Sequence, residues 1–426
     1  MPYDKRPWNR RRFLNCAGLG AGLGMVAPAF VPSHVLGAAD QRSANERVTA
    51  ALIGCGGRGM GLLPIHNDPG CTIAAVCDVD QDRAAAAGQR VGGCDVYTDF
   101  RQVLDRQDID AVLIATPDHW HAAITIMACE SGKDVYCEKP LCRTIDEGRK
   151  MVQAARRYDR VVQMGTQYRS IARTRQACEW VRNGRFGKIH TVRLSHPNNR
   201  THPLEPARRP PPNLDWNLWL GPAPWADYHP ARCHFTFRWF FDYGGGSIAD
   251  NGVHMFSVVS WAMGTDETGP VTVEASGRRE AGNLFDTPVE MTVRYTFADP
   301  PFEMIWEQPG SGKLELEFIG TQATLGGFWE FNVTEGTADL DLTRGDEVHL
   351  DRSDNHAANW LECIAARRRP VMDVEIGHRV TCWSHLGNIA YRLGRKLHWD
   401  PTRECFVGDE QANRLLQTAY RAPWRI

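Results

Sequence analysis

Three side chains have the types and spacing for acid–base chemistry: Lys139, Asp250 and His254. Lys139 stands in Glu138-Lys139-Pro140, directly after the apolar run 133–137. Its ammonium suits a developing alkoxide, although a lysine at such a strand end is more often a solvated surface charge. Only neighbouring strand ends that already form a cleft favour the chemical reading. The proline that follows biases Lys139 toward extended backbone. Asp250 and His254 close the stretch running from Gly244 to His254 and stand four positions apart. On one helix they share a face, where a carboxylate orients an imidazole and raises its basicity, as a general base requires. A structural reading fits the same residues: Ser247 as N-cap with Asp250 three positions on, and His254 as a satisfied interior histidine. The residues alone leave both open.

The elements that must position these groups begin at 48–59. A short apolar run, 48–53, leads into G-x-G-x-x-G at Gly54, Gly56 and Gly59, and a helical apolar pattern follows at Leu62, Leu63 and Ile65. The first glycine permits the tight strand-to-helix turn, the second lets backbone amides approach a pyrophosphate, and the third allows close helix–strand packing. The helix N-terminus offers free N–H groups and the positive end of its dipole. A second apolar run, 72–77, ends on Asp78, 24 positions after Gly54. A carboxylate at about that spacing accepts from a ribose 2′-hydroxyl and repels a 2′-phosphate, so NAD is expected rather than NADP. A further run, 110–115, is followed by Thr116-Pro-Asp-His-Trp-His121, at the strand end where doubly wound sheets bind ligands. Its two histidines do not make a metal site, which needs three or four converging ligands, so contact with the cofactor is expected and no metal.

From residue 48 to about 165 apolar runs at 48–53, 72–77, 95–97, 110–115, 133–137 and 161–164 alternate with helical patterns at 81–90, 100–104, 122–131 and 144–158. Such alternation predicts an α/β fold with a doubly wound parallel sheet. Residues 198–240, rich in Pro, Arg and Trp, read as a long ordered loop. From about 271 to 350 strand follows strand (288–297, 302–308 and 313–319 among them), as in a mostly antiparallel sheet. Helices return at 355–367 and 374–393, and the tail 397–426 reads as irregular, then helical.

The first residues differ from the rest. Arg10-Arg11-Arg12-Phe13-Leu14 precedes a mildly apolar, glycine-rich stretch and then small residues at 37–39, the pattern of a twin-arginine signal cleaved near Asp40. The stretch is too short and too rich in glycine to span a bilayer comfortably. The expected organisation is therefore a signal at 1–39, a dinucleotide-binding domain at 40–165 and a substrate and oligomerisation domain at 166–426. Residues 1–39 hold five basic and one acidic side chain of the chain's 49 and 51, so the remainder carries a net −6. That balance disfavours nucleic acid and anionic membranes as partners. The 13 scattered cysteines read as small buried hydrophobes in a protein that folds in the cytosol before export.

Together these motifs resemble the Gfo/Idh/MocA oxidoreductases over about residues 46–426. The family's G-x-G-x-x-G matches Gly54, Gly56 and Gly59, its T-P-N-x-x-H element resembles Thr116 to His121 with Asp118 in place of Asn, its E-K-P lysine matches Lys139, and its D-x-x-x-H pair matches Asp250 and His254. Ser257 stands where many members carry a further Asp. The resemblance implies an N-terminal Rossmann domain, a C-terminal α/β domain with a large open sheet that commonly builds a homodimer or tetramer interface, and hydride transfer between a sugar or polyol hydroxyl and NAD. In it Lys139 stabilises the alkoxide, His254 takes the proton and Asp250 holds the imidazole. The cofactor-binding candidates are Gly54, Gly56, Gly57, Arg58, Gly59, Asp78, Thr116, Pro117, His121, Glu138 and Lys139. The substrate-binding candidates are Tyr168, Arg169, Asp250 and His254, with Trp216, Trp219, Trp225, Tyr228 and Trp239 as faces for sugar stacking or as packing between domains. Export by the twin-arginine translocase leaves little free NAD for exchange, so a redox-neutral cycle on a tightly bound cofactor is expected. An NAD-dependent glycosidase acting by transient oxidation fits equally. A non-catalytic NAD- or sugar-binding protein is disfavoured by the intact Lys139, Asp250 and His254 set.

Overall fold

The computed structural model describes residues 47–340 and 346–426; the twin-arginine reading of residues 1–39 lies outside them. The first part of the chain alternates strand and helix: β1 (Val48–Ile53), α1 (Gly57–Leu62), β2 (Cys71–Cys77), α2 (Gln81–Val91), β3 (Asp95–Tyr97), α3 (Phe100–Leu104), β4 (Ala111–Ile114), α4 (Asp118–Glu130), β5 (Asp134–Cys137), α5 (Ile145–Arg157) and β6 (Val162–Met164). The six expected runs are the six strands, each end within one residue of its expected place. They pair in parallel in the order β3-β2-β1-β4-β5-β6. Side chains of β1, β4 and β5 are buried on both faces, as a sheet covered by helices on both sides requires. The order reverses between β1 and β4, which places a crevice at their carboxyl ends. Helix α4 starts at Asp118 rather than near 122, because Pro117 supplies the extended N-cap. The second half of the Thr116–His121 motif is thus the first helical turn.

The chain continues through α6 (Ala172–Arg182), β7 (Ile189–Ser195), α7 (Trp216–Leu220), α8 (Gly246–Asp250), α9 (Gly252–Met263), β8 (Thr272–Arg278), β9 (Glu290–Ala298), β10 (Pro301–Gln308), β11 (Glu315–Gly320), β12 (Ala323–Gly327), β13 (Phe331–Gly336), α10 (His356–Ala366), α11 (Val374–Leu393), β14 (Leu397–Asp400) and β15 (Cys405–Phe406). Nine of these strands form a second sheet, β13-β12-β11-β7-β10-β9-β8-β14-β15. It is antiparallel except where β7 runs parallel to β10. Strand β7 joins from outside the expected 271–350 region, and the tail contributes β14 and β15 where irregular chain was expected. One face packs on helices: β9 alternates buried Met291, Val293, Tyr295 and Phe297 with more exposed residues. Helix α11 ties the two sheets together, contacting α5 beside the first and β8 of the second. Tyr295 donates to the Trp383 carbonyl at 2.7 Å to pin α11 onto the second sheet.

Residues 198–240 are a loop that holds α7, capped by the Asp215 carboxylate, and short 3-10 turns. Its Trp216, Trp219, Phe237 and Trp239 pack with Phe240, Tyr243 and Phe285 into a separate apolar cluster. The segment crosses the mouth of the crevice and is fastened on both sides. On one side Gln81 N donates to Asn213 O at 2.9 Å, Asp215 N to Val79 O at 3.0 Å and Asn213 Nδ2 to Asp80 at 3.0 Å. On the other, Trp120 Nε1 donates to the Trp219 carbonyl at 3.0 Å, and His119 Nε2 lies 2.9 Å from the same oxygen.

Candidate active site

Between this strap and the strand ends lies a cavity of about 490 Å³. Its floor is the glycine turn. Gly54 holds a left-handed φ of +94°, and a Cβ there would meet the Ala115–Thr116 backbone at 2.6–2.7 Å. A Cβ at Gly59 would lie 1.9 Å from the Gly54 carbonyl oxygen, so α1 can pack this closely only without one. At Gly57, which lines the cavity, a Cβ would by contrast meet nothing within 4 Å. Asp78 accepts from Cys55 N at 2.7 Å and Asp80 N at 2.9 Å, which holds the turn in shape. Burial raises its pKa even though those two amides oppose it. Free amides at a helix start, a carboxylate at the end of β2 and a cleft of this size fit a dinucleotide.

Of the cofactor candidates, Gly54, Gly56, Gly57, Arg58, Asp78, Thr116, Pro117, Glu138 and Lys139 line the cavity. His121 does not. It is buried, with Nδ1 2.7 Å from Pro140 O and Nε2 2.9 Å from Thr116 O, and a neutral ring donates to one of them at a time. Burial lowers its pKa to about 4. Its work is to clip the end of β4 to the Lys139–Pro140 turn, whose peptide is cis. Glu138 is buried and paired with Arg58 at 2.6 Å.

Lys139 Nζ donates to Asp250 Oδ1 at 2.6 Å and to the Asp250 carbonyl at 2.8 Å. Arg238 Nε lies 2.9 Å from the same Oδ1, as an ion pair rather than an aligned hydrogen bond. Burial opposes the charge on Asp250, but Lys139 and Arg238 outweigh it and hold the carboxyl far below the usual range. The expected partnership of Asp250 with His254 is corrected here. The helix breaks at Asn251: Asp250 ends α8, His254 lies in α9, and no hydrogen bond joins their side chains. Ser247 is not the N-cap either, since Gly245 takes that place without a side-chain bond. His254 is instead fixed by shape, with Tyr168 edge-on at 5.0 Å and its Nδ1 buried without a partner among the described residues. Burial first, then the Lys139 charge, keeps the imidazole neutral and so able to accept a proton.

Arg169, an expected substrate ligand, is only 2% exposed. It forks onto Asp266 at 2.6 and 2.8 Å and reaches Ser257, the position where many family members carry a further Asp. It braces α9 from behind. Among the aromatics of the strap, Trp219 reaches the cavity wall, whereas Trp216, Tyr228 and Trp239 pack internally and Trp225 lies outside against Arg421. Among the cavity groups that the sequence did not single out, two are ionisable residues close to Lys139 and Asp250. Arg238 belongs to no motif and meets Asp250 only through the fold. Asp118, noted only as a departure from Asn, proves to be a buried carboxyl on the cavity wall. Burial, against the opposing pull of Arg238, pushes it up to about 8.

The cleft and fold define an NAD-binding oxidoreductase of the doubly wound type. Descriptions of the Gfo/Idh/MocA family match in two parts: its NAD-binding Rossmann fold over residues 48–166 and its C-terminal alpha/beta domain over residues 200–426. The chain belongs to this family. Among curated proteins it is 36% identical to levoglucosan dehydrogenase of Pseudarthrobacter phenanthrenivorans over 28% of this chain and 30% of that one. It is 37% identical to a glycosyl hydrolase family 109 protein of Saccharopolyspora erythraea over 33% and 35%, and 33% identical to inositol 2-dehydrogenase of Rubrobacter xylanophilus over 38% and 47%. The matches thus span less than half the length of these curated relatives. Among solved structures, the WlbA dehydrogenase of Bordetella pertussis, in complex with NADH and UDP-GlcNAcA, superposes with a TM-score of 0.64 at 18% identity, over 83% of this chain and 99% of that one. The aldose–aldose oxidoreductase of Caulobacter crescentus gives 0.63 at 17%, over 83% and 99%. Both show the fold.

Proposed function

We propose that the protein oxidises a ring hydroxyl of a sugar or polyol. The observation that carries this reading is the Lys139 ammonium, which lines the dinucleotide cavity, is held by Asp250 and lies close enough to His254 that burial and its charge together keep that imidazole neutral. Residues 54–59, Asp78 and Thr116–Pro117 would hold the cofactor, which when bound supplies a hydride acceptor. Lys139 then donates to the hydroxyl oxygen and stabilises it as the O–H proton passes to His254. The carbon becomes a carbonyl, and the proton returns when the reaction runs backward. NAD is preferred to NADP because Asp78 would face a 2′-phosphate. Dinucleotide binding belongs to residues 40–165 and substrate binding to 166–426.

A second reading, transient oxidation within a glycosidase cycle, is favoured by the pinned strap, which slows cofactor exchange and suits a reaction with no net redox change. The glycosyl hydrolase family 109 relatives support it in kind. Export by the twin-arginine route is supported by Arg10-Arg11-Arg12-Phe13-Leu14. Homo-oligomerisation is supported by the outer face of the second sheet, on which β9 exposes Arg294, Thr296 and Ala298. The test is mass analysis of purified protein for retained NAD(H), followed by a screen of free sugars and aryl glycosides for cofactor reduction or aglycone release. A protein that carries NAD yet turns over neither class overturns the proposal.

A further inference from the structure

Beyond the catalytic groups, the turn between β12 and β13 carries two aromatics in sequence, Phe328 and Trp329. They do different things. Phe328 is buried and packs on Tyr168 at 4.7 Å, anchoring the turn to the ring that stands edge-on to His254. Trp329 lies 5.3 Å from the same Tyr168 ring but is 65% exposed, the next-highest value among exposed large side chains after Leu204. Tyr168 in turn stands 5.0 Å from His254, so Trp329 is two ring-to-ring steps from the base. The turn is held further by an ion pair between Glu330 and Arg173.

The other exposed aromatics contrast with it. Trp225 has Arg421 over its ring, and Phe235 has Arg200 and Arg238 over its own. Among the described residues no cation lies over the Trp329 ring and no group partners its indole N–H. Backed by Tyr168 at 5.3 Å and Phe328 at 5.4 Å, the exposed indole is held as a flat apolar face that a ring ligand can cover. A broad apolar face with an unused donor at its rim suits the C–H face of a pyranose, with a hydroxyl left for the N–H. A single sugar at His254 does not need a platform this far out; the next unit along a glycosidic chain does.

We infer that Trp329 is the stacking platform of a second sugar subsite, so the preferred substrate is a disaccharide or longer glycoside whose adjoining unit lies on the indole. This rests on the proposed sugar chemistry at His254, but binding alone can test it. NAD-loaded protein and its Trp329→Ala, Trp329→Phe and Trp225→Ala variants are titrated with glucose, galactose and N-acetylglucosamine and with β-linked disaccharides of each. Tryptophan fluorescence reports binding, steady-state turnover reports selectivity, and sedimentation reports assembly. Disaccharide binding should quench the parent but not the Trp329→Ala signal. The disaccharide-over-monosaccharide ratio of kcat/KM should fall about fivefold or more in Trp329→Ala, recover in Trp329→Phe and stay at the parent value in Trp225→Ala. An unchanged ratio with unchanged quenching overturns the inference and leaves the sugar chemistry standing, as does an oligomer that dissociates on Trp329→Ala, which would make the indole an interface between copies. A parent that is quenched through Trp329 but reduces its cofactor with no sugar keeps the subsite and overturns the chemistry.

Discussion

Lys139 and Asp250, 111 residues apart, meet through two hydrogen bonds from one ammonium, to the carboxylate at 2.6 Å and to the main-chain carbonyl at 2.8 Å. Two of the ammonium's three donors are therefore already committed, and the geometry leaves one for anything that enters the cavity. The aspartate is bonded to the lysine and reaches the histidine only through its charge, which opposes the depression of the imidazole's pKa.

Lys139→Ala and His254→Ala should retain NAD and melt cooperatively, because Arg238 still partners Asp250 and His254 makes no side-chain hydrogen bond that folding needs. Cofactor reduction by an active sugar should fall ~10²-fold or more in each. Single-turnover absorbance at the reduced nicotinamide band checks this. A His254→Ala rate equal to the parent's removes His254 from the chemistry.

Asp250→Ala should be the least stable of the three substitutions. It leaves Lys139 and Arg238 facing one another with no anion between them, and losing hydrogen bonds to a partly exposed charged group costs about 1–3 kcal/mol. A helix-cap role would predict a loss that Asp250→Asn largely spares. The ion-pair role predicts that Asn restores little, and that adding Lys139→Met recovers part of the loss. Denaturant midpoints of the double-mutant cycle decide between the two.

Asp118 gives a pH dependence with a definite sign. A carboxyl raised to about 8 by burial is protonated in the folded state well above the pH at which the unfolded chain has lost that proton. Its contribution to stability is complete below the unfolded value near 3.8 and is lost as pH rises through about 8. Asp118→Asn should therefore flatten the urea midpoint of cofactor-free protein between pH 5 and pH 9, windows set by that shift. A parent that stabilises over the same range, with its slope unchanged by the substitution, would contradict it.

His254 runs the other way. Its depressed pKa means that folding favours the neutral ring, so its contribution is present above the ordinary histidine value and is lost as pH falls below it. The acid limb of sugar oxidation should therefore lie below the pKa of a free histidine, and pH–rate profiles of the NAD-loaded protein would show it.

Much of the fold was legible because its signals are local. The glycine turn, the six apolar runs and the Asp78 spacing each occupy one short window, and parallel sheets bury whole strands. What escaped depends on distance or on a break in regularity. The pairing of Asp250 with His254 assumed one continuous helix, which Asn251 interrupts. Arg169 looked available for substrate until Asp266, 97 residues on, took its guanidinium. Arg238 sits in an aperiodic segment whose role is visible only when it is laid against Asp250. The aromatic residues of that segment read as a sugar platform by composition, but a run so rich in tryptophan builds its own core, and the exposed indole stands on a hairpin turn elsewhere.

The strap also sets an order of assembly. Its Gly221 and Ala223 carbonyls and Asn217 are gripped by Arg421, which lies 200 residues beyond Gly221. The fastenings to residues 79–81 and 119–120 join the strap to chain that precedes it, whereas this one recruits a residue far beyond it. The first sheet likewise takes Trp360, Leu361 and Ile364 into the core beneath β1, β2 and β4. Roof and floor both depend on chain made later, so the cleft reaches its final form only when that chain has packed.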